Sequence, residues 1–113
     1  MAYEPVYERF EATGPNGPRR AVQFTKAGIL ALGEQPELYF FQVAGEEAVV
    51  GISSQALRRF QSGRRYLSRE EKIDLAGLML KRRIEAGMPL VSENLFIRDE
   101  ELAALAGDLS LFP

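Results

Sequence analysis

Residues 68–89 read SREEKIDLAGLMLKRRIEAGMP, and this stretch decides the fold. Ser68-Arg69-Glu70-Glu71 has the spacing of a capping box, in which Ser68 accepts from the third helical N–H and Glu71 reaches back to the Ser68 N–H. Gly87 supplies a left-handed stop and Pro89 forbids continuation, so the spacing predicts a helix from Ser68 to Ala86. Lys81, Arg82 and Arg83 near its end match the helix dipole. At about 100° per residue, Ile73, Ala76, Gly77, Leu80, Ile84 and Gly87 share one face, extended by Leu75, Met79 and Ala86. Asp74, Lys81, Arg82 and Glu85 gather opposite, with Leu78 among them, and are expected to face water. Arg83 falls inside the apolar arc and must find a carboxylate, because an unpaired buried charge is costly. Gly77 invites either close approach of another backbone, as at a dimer or partner interface, or simple packing on a sheet, and packing on a sheet is the plainer expectation.

The flanking sequence supplies strands for this helix to cover. Val6–Phe10 and Ala21–Thr25 alternate imperfectly around Thr13-Gly14-Pro15-Asn16-Gly17-Pro18, a run of turn-forming residues, and predict a hairpin with a wide loop. Lys26–Pro36 is punctuated by Gly28, Gly33 and Pro36, which favours a short strand or irregular crossing over a helix. Leu38–Val43 and Ala48–Ile52 predict a second hairpin joined through Ala44-Gly45-Glu46-Glu47. Leu38, Phe40 and Gln42 point one way and Tyr39, Phe41 and Val43 the other, so this strand is apolar on both faces. It therefore needs cover on two sides, or a partner. Ser53 or Ser54 caps a short helix stopped by Gly63. Leu95–Arg98 reads as a last strand, and Asp99 as the cap of a helix over Glu100–Ala106. The apolar tip Leu109, Leu111 and Phe112 is expected to dock.

The expected architecture is a single α+β domain over residues 1–113. It comprises a small antiparallel sheet of four or five strands packed against one long amphipathic helix, with two shorter helices. A hydrophobic fraction of 46% and a charged fraction of 27% are those of an ordinary globular chain. No apolar run approaches the ~20 residues of a membrane span. The start, Met1-Ala2-Tyr3-Glu4-Pro5, lacks the features of a signal peptide. The chain has neither cysteine nor histidine. That removes disulfides, Ser-His and Cys-His catalysis, and the usual zinc, copper and haem ligands. A cytoplasmic, non-enzymatic protein without a cofactor or metal is the expectation.

Charge is segregated. Between Arg58 and Arg83 nine basic residues stand against three acidic ones, a balance of +6 in a chain of net charge −2, so the remainder carries −8. Arg58, Arg59, Arg64, Arg65, Arg69, Arg82 and Arg83 form the candidate interaction surface, unless they pair with the acidic remainder. Two helices joined by Gly63-Arg64-Arg65-Tyr66 have the outline of a helix-turn-helix. The exposed face of the long helix, however, lacks the Asn, Gln or Ser that read base edges. A pI near 5.2 also weighs against nucleic acid, which ranks behind an unidentified protein partner. The wide apolar arc and the two-faced strand further suggest a homodimer. Glu46-Glu47 and Asp99-Glu100-Glu101 lack convergent or calcium-loop spacing and read as solvated turn and helix N-terminus.

Ala21-Val22-Gln23-Phe24, Val50-Gly51-Ile52-Ser53-Ser54-Gln55-Ala56-Leu57, the helix bearing Ile73 and Ala76, and Phe96-Ile97 occur in that order. Over residues 20–98 the chain resembles a family of short bacterial proteins of unknown function. In that family a V-x-F strand precedes an I-S-x-x-A-L strand-to-helix junction. The resemblance implies a fold and no activity.

Overall fold

The computed structural model describes residues 4–29, 36–62 and 66–111. The elements run β1 (Arg9–Thr13), β2 (Arg19–Ile29), β3 (Glu37–Val43), β4 (Glu46–Ile52), α1 (Ser54–Gln61), α2 (Arg69–Glu85), β5 (Phe96–Ile97) and α3 (Asp99–Asp108). The strands form one sheet in sequential order, β1 to β5. The first three pairings are antiparallel. The last, β4 with β5, is parallel, because α1 and α2 carry the chain back across the sheet before β5 begins. The α+β architecture with one long helix is thus as expected, and the sheet is mixed at its last strand.

Short-range chemistry explains most element ends. The Ser68 hydroxyl accepts from the Glu71 N–H at 3.1 Å while Glu71 accepts from the Ser68 N–H at 2.8 Å, completing the capping box. Gly87 sits at φ +70°, and the N–H groups of Ala86, Gly87 and Met88 close the end of α2 onto the carbonyls of Arg82, Ile84 and Arg83. Ser53 caps α1 by accepting from the Ala56 N–H. The β3–β4 turn places Ala44 at φ 50° and Gly45 at φ 86°, the paired positive values of a tight hairpin turn whose twist suits the flanking strands.

Other boundaries differ from expectation. β1 starts at Arg9: Glu8 still accepts the Phe24 N–H of β2, but Val6 and Tyr7 turn their N–H groups to Asp74 of α2. β2 runs on through Lys26–Ile29, absorbing the first part of the punctuated segment by a bulge at Thr25, whose hydroxyl donates to the Phe40 carbonyl; residues 30–35 lie outside the described residues, as does Gly63. Asp99 does not cap α3: Arg98 holds the cap position without a side-chain bond, and the helix continues through Gly107 to Asp108. Leu111 docks into the core, being 2% exposed.

The face assignment of α2 needs the largest correction. Asp74 and Leu78, expected in water, are buried at 0% and 6% exposure. The N-terminal arm crosses α2 at Asp74 and Gly77. The Asp74 carboxylate accepts the backbone N–H groups of Val6 and Tyr7, and a Cβ on Gly77 would stand 2.5 Å from both the Cβ and the carbonyl oxygen of Tyr7. Gly77 therefore admits another backbone, but it is the N-terminal arm of the same chain, where the expectation was the sheet or, failing that, a dimer or partner interface. The inner face of the sheet, with Val22, Tyr39, Phe41, Val50, Ile52 and Ile97, packs with the buried residues of all three helices into one core.

Candidate interaction surfaces

The basic segment does not form one free surface. Arg59 of α1 donates to Asp99 at 2.5 Å, Arg82 of α2 to Asp108 at 2.5 Å, and Arg83 to Glu101 at 2.6 Å. Arg83 also donates from Nε to the Asn94 carbonyl at 2.8 Å. All three carboxylates belong to α3, so part of the charge segregation in the sequence is a set of clamps holding an acidic helix on basic ones. Lys72 pairs with Glu37 at 3.2 Å and Lys81 with Glu85 at 2.8 Å. Arg69 is exposed, with its guanidinium 5.4 Å from the Phe24 ring, and Arg58 is exposed on α1. Arg64 and Arg65 lie outside the described residues. Exposed pairs of this kind contribute about 0.2–1 kcal/mol each, yet a phosphate backbone approaching this side would have to displace carboxylates already in place.

The second surface is the outer face of the sheet. Side chains alternate across a strand and partners in register share a face. Leu38 lies opposite Gly51 and Phe40 opposite Val49, while Gly51 in turn lies beside Phe96 of β5. Leu38, Phe40, Val49 and Phe96 are half-buried and none of them joins the core. The glycines shape this patch. A Cβ on Gly51 would stand 3.0 Å from the Phe96 ring, and one on Gly28 would stand 3.3 Å from the Phe40 ring, so each ring leans over a glycine of the neighbouring strand. Lys26 places its ammonium 5.0 Å from the Phe40 ring centroid, and Arg98 its guanidinium 5.3 Å from that of Phe96. The result is an apolar centre with a cation over each ring.

The polar groups inside the molecule are engaged with one another. The buried Tyr39 hydroxyl donates to Glu37 at 2.8 Å, and Glu37 meets Lys72, whose side chain is only 17% exposed. Burial, reinforced by the hydrogen bond to Glu37 and by its charge, pushes the Tyr39 phenol well above its ordinary pKa, so this tyrosine stays un-ionised. Among the described residues no three acidic side chains gather as a metal site requires, and no helix is long and apolar enough to cross a membrane.

Sequence reasoning found the two-faced character of β3 and the need of Arg83 for a carboxylate. It missed the glycine-floored patch, because the bulge at Thr25 and the two-residue strand β5 bring Gly28 and Phe96 into register without any periodic signal. Comparison of the chain with protein-family models, curated proteins and solved structures finds no match.

Proposed function

We propose that the protein is a non-enzymatic binding or regulatory protein acting through protein–protein contact, with the outer face of the sheet as its contact surface. One observation carries this reading: Leu38, Phe40, Val49 and Phe96 form an apolar patch separate from the core. Contiguous apolar surface rimmed by charge is the usual mark of a contact site. Aromatic residues at its centre and cations at its edge match the composition of interface cores and rims. A second copy of this chain is one form the partner takes. The basic segment ranks behind this face, since Arg59, Arg82 and Arg83 are bound to α3. A cytoplasmic setting goes with this reading on the sequence alone, through the absence of cysteine.

The test compares the unmodified protein with Phe40→Asp, each immobilised and exposed to extract of the native cell. Circular dichroism establishes that the variant is folded. Proteins retained by the unmodified chain and lost with Phe40→Asp support the reading. A dimer mass by sedimentation, reduced to monomer by the same substitution, supports its self-associating form. Retention unaffected by Phe40→Asp overturns the sheet face. Tight, salt-dependent binding of labelled oligonucleotides, with no protein retained, moves the function to nucleic acid.

A further inference from the structure

The geometry points to a second binding site, a cleft at the turn end of the sheet that takes a carboxylate standing beside an apolar group, with Arg20 as the carboxylate's partner. The site shares no residue with the Leu38–Phe96 patch, so the two proposals stand or fall separately.

Arg20 is the second residue of β2, opposite Ala12 of β1, and is half-buried. It lines two adjoining cavities of about 380 and 350 Å³, which meet at Gly87 and Met88. One is walled by Val43, Leu90 and Pro89 with Glu46 and Glu47 also lining it, and the other by the Gly14–Gly17 turn and Ile84. Close contacts between the Gly14–Gly17 turn and the end of α2 border the cleft. A Cβ on Gly14 would stand 3.1 Å from the Ile84 carbonyl oxygen, and one on Gly87 would stand 3.3 Å from the Pro15 ring.

Within this cleft the Arg20 guanidinium has no hydrogen-bond or ion-pair partner among the described residues. Arg19 beside it reaches Glu11, at 3.9 Å. Glu46 and Glu47 line the same cleft, but no ion pair joins either to Arg20. The carbonyls of Arg82, Arg83 and Ile84 at the end of α2 already accept the Ala86, Met88 and Gly87 N–H groups. A partly desolvated guanidinium left without an acceptor is the feature that a ligand anion relieves, and its planar fork matches a carboxylate through two parallel bonds.

The surroundings choose between anions. The end of α2 is the negative pole of its dipole, and Glu46 and Glu47 add negative charge. One guanidinium against that background suits a single negative charge better than the two of a phosphate monoester. Among this mostly polar lining, Leu90, Pro89 and Met88 offer an apolar side, and Met88 is 38% exposed, a flexible and polarisable side chain suited to covering an aliphatic group. A carboxylate next to an apolar body is offered equally by the C-terminal residue of a peptide and by a fatty acid.

An NMR titration of the full-length ¹⁵N-labelled chain distinguishes these sources. The probes are N-acetyl-leucine, N-acetyl-leucinamide, octanoate and inorganic phosphate. The proposal expects saturable shifts at the Arg20 side-chain N–H and the Gly17, Gly87 and Met88 amides with at least one of the two carboxylates. N-acetyl-leucine acting alone indicates a peptide terminus, and octanoate acting alone a fatty acid. N-acetyl-leucinamide should leave these resonances unmoved. Arg20→Gln should weaken the response by about tenfold or more, the loss expected for a charge-assisted pair. Met88→Glu, which leaves Arg20 intact and adds repulsion at the mouth, should weaken it as well, and serves alone if Arg20→Gln fails to fold. Absence of saturable shifts with both carboxylates, equal binding of the amide, tighter binding of phosphate, or full binding by either folded variant overturns the site.

Discussion

The Asp74 carboxylate accepts the Tyr7 backbone N–H at 2.7 Å from 67 positions away in the chain, and its other oxygen accepts the Val6 N–H at 3.0 Å. A fully buried carboxylate is tolerable when it is bonded in this way, and here it fastens the N-terminal arm across α2.

Asp74→Ala should therefore leave two N–H donors without their acceptor and destabilise the fold by roughly 3 kcal/mol, the scale of losing hydrogen bonds to a charged group. Asp74→Asn keeps one acceptor oxygen and should cost less. Urea denaturation gives the magnitude, and hydrogen exchange at Val6 and Tyr7 gives the location. Unchanged stability in Asp74→Ala would mean that the arm does not dock in solution.

Gly77→Ala tests the same contact by its sign. Alanine for glycine in a helix interior normally stabilises by about 1 kcal/mol. Here the added methyl would meet Tyr7 at 2.5 Å, so a net loss of about 1–2 kcal/mol is expected from overpacking. In an Asp74→Ala background the arm is already loosened, and the same substitution should become neutral or favourable. Such non-additivity marks residues that share a contact. Strictly additive effects would argue that the two residues act on different parts of the molecule.

Leu78→Ala and Leu80→Ala should cost similar amounts, about 2–5 kcal/mol each, because Leu78 is 6% exposed and Leu80 0%. The helical wheel alone predicts a much smaller loss at Leu78. Thermal or chemical unfolding of the two variants decides the matter: a cost at Leu78 below about 0.5 kcal/mol, the range of ordinary surface positions, would restore the wheel's assignment.

These residues show what kind of information the sequence carries. The capping box at Ser68 and Glu71 and the stop at Gly87 were legible because each depends on residues within a few positions. Arg83 was legible in outline, since an arginine in an apolar arc demands a carboxylate, but Glu101 could be named only once α3 was placed. Asp74, Gly77 and Leu78 lie at i, i+3 and i+4 on one stripe of α2, and Asp74 and Gly77 are met by a segment nearly seventy residues upstream that no local pattern announces. The Arg20 cleft was silent for a related reason. Its walls come from two turns and the end of a helix, and within the sequence Arg20 is merely one of a pair of basic residues after a turn.

Tyr39 offers a test that depends on pH. The phenol is 1% exposed, and burial together with the hydrogen bond to Glu37 raises its pKa above the ordinary value, against a smaller opposing effect of the Arg69 charge. In the unfolded chain the phenol ionises near pH ~10, whereas in the folded chain it keeps its proton beyond that point. The unfolded state thus binds fewer protons above pH ~10, and the stabilisation that is fully present below this pH is lost as the pH rises further. Tyr39→Phe removes the titration together with one hydrogen bond. At neutral pH the variant should be less stable by about 1 kcal/mol. Above pH ~10 the gap should narrow by up to ~1.4 kcal/mol per pH unit and then reverse, because phenylalanine has no proton to lose. Lysines and the other tyrosines titrate in both proteins, so the difference between the two urea curves at pH 8, 9, 10 and 11 isolates Tyr39. A gap that stays constant across that range would show that Tyr39 ionises as readily in the folded chain as in the unfolded one.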